Sequence, residues 1–132
     1  MTIYFGSYTK RASEGIYTAD FDASTGQLTN RKLFATEGNP TYLAFSETGT
    51  VYSVSAQGSQ GGIAAYTADG QLINRVLAEG APHCYVSVDD KRGLVYAANY
   101  HKGQVLSYKM DTKGALTLAD CITHTGSGPH EN

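Results

Sequence analysis

The chain has 132 residues, 41% hydrophobic and 17% charged, which is enough apolar material for one folded domain and too orderly a balance for a disordered one. A formal net charge of -2 gives no broad attraction for nucleic acid or an acidic membrane surface. No stretch approaches the ~20 apolar residues of a membrane span, and MTIYFGSYTKR lacks the basic and apolar segments of a secretory signal, so a cytoplasmic protein is expected.

From the N-terminus, IYFGSYT (residues 3–9), IYTADFD (16–22) and LTNRKLFAT (28–36) alternate apolar and polar residues over short runs, the signature of strands. Four more such runs follow, at 41–45, 51–56, 63–67 and 72–78, and another four at 85–88, 95–100, 105–110 and 116–123. No segment has helical periodicity. The spacing is regular: Pro40 to Pro82 is 42 residues, Val51 to Val95 is 44, and Leu28, Leu72 and Leu116 are separated by 44 and 44. A period of this length marks a repeat architecture.

Four-stranded antiparallel units repeating at about 40–50 residues are the blades of a β-propeller, whose ring closes with about 4–8 of them. The expected fold is therefore all-β, with about three blades. Labelling the strands of a blade a to d from the axis outwards, residues 1–38 form an incomplete blade lacking its innermost strand a. Residues 39–80 and 81–126 form full blades, and 127–132 begin another. Three blades are too few to close, so the chain is expected to be the front portion of a longer protein. The unpaired edges and uncovered faces of such a piece invite self-association. Turns containing Gly49, Gly93, Gly26, Gly70 and Gly114 suit tight hairpins that admit positive φ.

In a meander, the d-to-a and b-to-c connections emerge at one end of the propeller, and the other two kinds at the opposite end. The second end carries the solvated turn residues Ser46, Glu47, Asp89, Asp90, Lys91 and Arg92. All four histidines fall at the first: His83, His124 and His130 in or beside d-to-a connections, and His101 after strand b. Tyr8, Lys10 and Arg11 join them from the first blade, Asn39 from the second, and Asn99, Tyr100 and Lys102 from the third. Imidazole, amide, phenol and cationic groups around a funnel mark the expected small-molecule site. Asn39-Pro40 and Ala81-Pro82 also serve to end strand d and turn the chain inward, and Tyr42 and Tyr85 fit a buried inner strand.

No nucleophile elbow, zinc motif or P-loop is present. Cys84 in innermost strand a and Cys121 in outermost strand d lie about 14 Å apart, beyond the reach of a disulfide.

The succession GSYT, GIYTADFDASTGQL, GNPTYLAFS, VYSVSA, GGIAAY, APHCYVSVD, VYAANYHKGQVLSY, GAL and HTGSGP resembles the N-terminal part of the seven-bladed propeller lactonases, which include bacterial 6-phosphogluconolactonase. The resemblance implies a cytosolic hydrolase that opens a sugar-acid lactone, 6-phosphoglucono-δ-lactone of the pentose phosphate route in the best-known members. It implies no metal and no cofactor. That chemistry needs a general base for water, donors for the oxyanion and a cation for the phosphate. His124, His101 and His83 are the candidates for proton transfer, with Asn99, Tyr100, Asn39 and Tyr8 lining the substrate. Lys10, Arg11 and Lys102 are the candidates for phosphate. In the family, HxGxGP leads into a Pro-His-rich stretch and further blades that complete the site. A non-catalytic propeller serving as a binding scaffold is the competing expectation, since one fold hosts many functions. The absence of Trp argues against a WD40-type scaffold.

Overall fold

The computed structural model describes residues 1–129. Its elements are eleven strands: β1 (Thr2–Phe5), β2 (Gly15–Asp22), β3 (Gln27–Thr36), β4 (Leu43–Phe45), β5 (Val51–Gln57), β6 (Gln60–Tyr66), β7 (Leu72–Glu79), β8 (Tyr85–Asp89), β9 (Leu94–Asn99), β10 (Gln104–Met110) and β11 (Leu116–Thr123). They form three antiparallel sheets in the orders β1-β2-β3, β4-β5-β6-β7 and β8-β9-β10-β11. Three strands, then four, then four is the arrangement the repeat predicts, and no helix forms among the described residues.

The sheets stand radially. Inner strand β4 lies beside inner strand β8, and outer strand β7 beside outer strand β11, so successive sheets face one another as neighbouring blades. The hairpin glycines at 26, 49, 70, 93 and 114 take φ between 66° and 92°, a region costly for any residue with a Cβ.

Burial follows position in the stack. The middle blade is covered on both faces, so every residue of β5 from Val51 to Ser55 is buried and its sequence reads as a nearly continuous apolar and small-residue run. In the third blade only one face is covered, and β9 alternates between buried and partly exposed residues. The outermost strand β11 is exposed beyond Leu116.

Two seams hold the blades together. At the first, Ile16, Ala35, Val51, Ala64 and Tyr66 are buried, with Tyr4, Phe34 and Leu43 packed against them. At the second, Tyr52, Ile63, Ala65, Val86, Val95 and Leu106 belong to one buried cluster. Hydrogen bonds register this second seam. The Tyr52 hydroxyl donates to the Gly114 carbonyl at 3.0 Å, while the Asn74 amide donates to the Leu116 carbonyl at 2.9 Å and accepts from its N–H at 3.0 Å. Close approach requires small residues: a Cβ on Gly38 would lie 1.8 Å from the Ala56 carbonyl oxygen, and one on Gly61 would lie 2.4 Å from Pro82 Cα.

Candidate functional site

The loops β1–β2, β5–β6 and β9–β10 share one end of the blades with the connectors from β3 to β4 and from β7 to β8. The chain leaving β11 emerges there as well, because antiparallel strands return alternate turns to the same end. The His124 N–H donates to the Gly103 carbonyl at 2.8 Å, tying the segment after β11 to the β9–β10 loop. His101 and His124, both exposed, are thereby carried by hydrogen-bonded neighbouring segments.

The His101 ring lies 4.0 Å from that of Tyr100, centroid to centroid, at a 35° tilt, and Tyr100 is 73% exposed. On the β1–β2 loop, Lys10 Nζ lies 5.0 Å from the centroid of the exposed Tyr8 ring, and Arg11 is exposed beside it. These groups are open to a solute.

Other sequence-predicted residues are engaged in holding the loops. Asn39, at a φ of 44°, accepts on Oδ1 from the Thr9 N–H at 2.9 Å and the Thr9 hydroxyl at 3.1 Å, which fastens the β1–β2 loop to the β3–β4 connector. Lys102 Nζ donates to the Glu79 carbonyl at the end of β7. Asn99 is buried, donates to the Ala81 carbonyl at 2.9 Å and accepts from the Lys102 N–H at 3.2 Å.

His83 is buried beneath this rim. Its Nε2 is 2.7 Å from the Tyr108 hydroxyl, and its Nδ1 is 3.3 Å from Asn99 Nδ2. Because the Asn99 amide nitrogen can only donate, Nδ1 must accept, which assigns the ring proton to Nε2 and makes the imidazole a donor to Tyr108. A second proton on Nδ1 would point at another N–H. Burial, reinforced by the Lys102 charge, lowers the His83 pKa to about 4. Burial also pushes the Tyr108 phenol upward. His130 lies outside the described residues.

Sequence reasoning missed the most heavily bonded polar group, Glu37. Its side chain is fully buried at the first seam. Oε1 accepts from the Gly38 N–H at 2.9 Å, Ser55 Oγ at 2.6 Å and Gln57 Nε2 at 2.7 Å. Oε2 accepts from Arg75 Nε at 3.0 Å and from the Tyr66 hydroxyl. Burial, followed by the bond to Glu37, raises the Tyr66 phenol. Burial alone would lower the Arg75 guanidinium, but the charge of Glu37 and the contact with Tyr66 hold it above its ordinary range.

The two seams thus solve one problem differently. Tyr66 and Tyr108 hold corresponding places 42 residues apart, as do Ser55 and Asn99 at 44. The first pair surrounds a carboxylate paired with Arg75, and the second surrounds a neutral imidazole. The only available signal was the repeated Glu-Gly-x-Pro at 37–40 and 79–82, and its second glutamate is exposed.

A cavity of about 640 Å³ is lined by Phe5, Tyr17, Leu28 and Arg31 among others, on the strands of the first blade. It is not lined by the exposed histidines. Among the described residues no three His, Cys, Asp or Glu side chains gather in a metal-binding arrangement.

Comparison with known proteins agrees with this architecture. The sequence profile described as "Lactonase, 7-bladed beta-propeller" matches residues 2–132. The chain belongs to the seven-bladed β-propeller lactonase family. This lactonase-family chain is 43% identical to the 6-phosphogluconolactonase of Bacillus subtilis strain 168 over 135 residues, covering 97% of the chain and 39% of that protein. It superposes on a Lactobacillus plantarum protein with a TM-score of 0.93 at 48% identity, covering 98% of the chain and 39% of that one. A periplasmic gluconolactonase from Pseudomonas aeruginosa matches at a TM-score of 0.81 and 25% identity, covering 92% and 38%. The lactonase-family chain therefore spans about two fifths of the length of these relatives.

Proposed function

We propose that the protein hydrolyses a sugar-acid lactone, with 6-phosphoglucono-δ-lactone as substrate and 6-phosphogluconate as product, in the oxidative pentose phosphate route of the cytoplasm. The observation that carries this reading is the 43% identity to the Bacillus subtilis 6-phosphogluconolactonase along 97% of the chain. The exposed histidines, phenols and cations at one end of the blades supply groups of the kinds the reaction uses.

As a carboxylic-ester hydrolysis, the reaction adds water to the lactone carbonyl while a base takes the water proton. Donors hold the tetrahedral oxyanion. The bond from the carbonyl carbon to the ring oxygen then breaks, the ring oxygen takes a proton, and a hydroxy acid leaves. His124 and His101 are assigned the proton transfers because both are exposed on hydrogen-bonded segments. Tyr100 and Tyr8 line the approach. Lys10 and Arg11 meet the phosphate, being the exposed cations of this end. His83, Asn99, Asn39 and Lys102 are assigned the positioning of the loops, since their polar atoms are already engaged.

The test is lactone opening by the complete gene product, measured with 6-phosphoglucono-δ-lactone and with unphosphorylated glucono-δ-lactone. Acceleration of the first and a much higher KM for the second support the assignment. Equal KM values remove the phosphate contact, and rates no faster than spontaneous opening remove the activity.

An isolated copy of residues 1–132 is also expected to self-associate. Phe5, Leu28 and Leu33 on the first blade and Val105 and Ile122 on the third remain exposed, and among the described residues no strand pairs with the innermost edge of β1. Light scattering showing a monomer across a wide concentration range would remove this expectation. Neither nucleic acid nor a membrane is proposed as a partner.

A further inference from the structure

Tyr42 and Tyr85 occupy the same step of successive blades, 43 residues apart, where each connector from an outer strand reaches an innermost one. Their ring centroids are 4.7 Å apart and the planes open at 51°. Alternation within strand a predicts buried side chains here, yet they are 41% and 44% exposed.

The backbone behind both rings is fixed. The Tyr42 carbonyl accepts from the Val54 N–H at 3.1 Å, and the preceding Asn39 is locked to Thr9. Before Tyr85, the Cys84 N–H donates to the Ala98 carbonyl at 2.9 Å, and His83 is held by Tyr108 and Asn99. Two large rings are therefore displayed on rigid supports, at the same end of the blades as the exposed histidines. Rigid aromatic side chains offer contact area at little loss of conformational freedom, which favours binding.

The chemistry of the ring pair selects its occupant. The two ring planes lie at 51° to one another with the rings in contact, and neither hydroxyl has a hydrogen-bond partner among the described residues. A six-membered sugar lactone presents the matching surface, with C–H groups on its faces and hydroxyls at its edge. We propose that Tyr42 and Tyr85 form the platform on which the carbon ring of the lactone stacks, making them specificity-determining residues. The proposal rests on the lactonase reading given above.

Its test uses the complete gene product and the variants Tyr42→Ala, Tyr42→Phe, Tyr85→Ala and Tyr85→Phe. With 6-phosphoglucono-δ-lactone, each alanine variant is expected to raise KM by about tenfold while kcat stays within about threefold, and each phenylalanine variant to keep most of the affinity. If the two tyrosines only pack against other side chains of the propeller, the alanine variants lower the melting temperature and leave KM unchanged, which overturns the platform. A separate readout covers failure of the lactonase reading. Fluorine NMR of the 3-fluorotyrosine-labelled protein, assigned with the phenylalanine variants, is followed during titration with 1,5-anhydroglucitol, a six-membered sugar ring that water cannot open. Movement of both resonances supports the platform even in an inactive protein, and no movement up to about 100 mM of the ring compound overturns it.

Discussion

Glu37 Oε2 lies 3.0 Å from Arg75 Nε across the seam between the first and second blades, with the carboxylate wholly out of solvent and the guanidinium side chain 25% exposed. A buried pair of this kind adds little net stability compared with apolar packing, but removing one partner strands the other charge. Arg75→Met is expected to cost about 3 kcal/mol in the native background and less than half of that in a Glu37→Gln background. Urea unfolding of the four proteins in the cycle measures the coupling; purely additive costs would contradict it.

The second seam should respond to acid. The folded-state pKa of His83 is depressed to about 4 from 6.5, so its contribution to stability is fully present above pH 6.5 and is lost as pH falls towards 4. At 1.36 kcal/mol per pKa unit the full change is at most about 3 kcal/mol. His83→Phe removes the titration, and its plot of stability against pH should be flatter between 4 and 6.5 than that of the native protein. An unchanged slope would mean that His83 is not the group responsible.

Blade spacing depends on glycine at the seams. Gly38→Ala places a methyl group 1.8 Å from the Ala56 carbonyl oxygen, so the β3–β4 connector, bonded to the Ala56 N–H at 2.8 Å, must pull away from β5, at a cost of about 3 kcal/mol. Gly128→Ala meets nothing within 4 Å and is expected to be neutral. Thermal unfolding compares the two directly, and equal melting temperatures would contradict the close packing of this seam.

Both cysteines are free thiols, Cys121 exposed and Cys84 half-buried with its S–H donating to the Ala98 carbonyl at 3.2 Å. A thiol reagent should therefore label one site at once and the second only slowly or after denaturation. Peptide mapping identifies the rapid site, and rapid labelling of Cys84 would contradict its placement in the β8–β9 pairing.

The blades were legible because repetition amplifies a weak signal. One alternating run such as IYTADFD is ambiguous by itself, but returning hairpin glycines and leucines 44 residues apart leave a meander as the consistent solution. Most strand ends were legible for the same reason, but the run at 3–9 shortens to Thr2–Phe5, the run at 41–45 to Leu43–Phe45, and the run at 63–67 starts earlier, at Gln60. Which of the histidines face solvent was not legible. His83 and His101 look alike in sequence, but one follows Pro82 into the seam below Lys102 while the other sits on a hairpin tip. That difference arises from the packing of one blade on the next. Tyr42 and Tyr85 show the reverse case, where strand alternation predicts burial and the border of the innermost strands leaves the rings exposed. Glu37 was hidden because its partners, Ser55, Tyr66 and Arg75, lie 18 to 38 residues away and no local motif joins them.

The central functional claim is that the exposed histidines of the β9–β10 loop and of the segment after β11 carry proton transfer in lactone opening. The most direct test is the kcat of the complete gene product on 6-phosphoglucono-δ-lactone beside that of a His101→Ala, His124→Ala double variant with an unchanged melting temperature. A native rate well above spontaneous hydrolysis that falls by about 10²-fold or more in the double variant is the predicted result. A native protein no faster than spontaneous opening, or a double variant retaining the full rate, would contradict it.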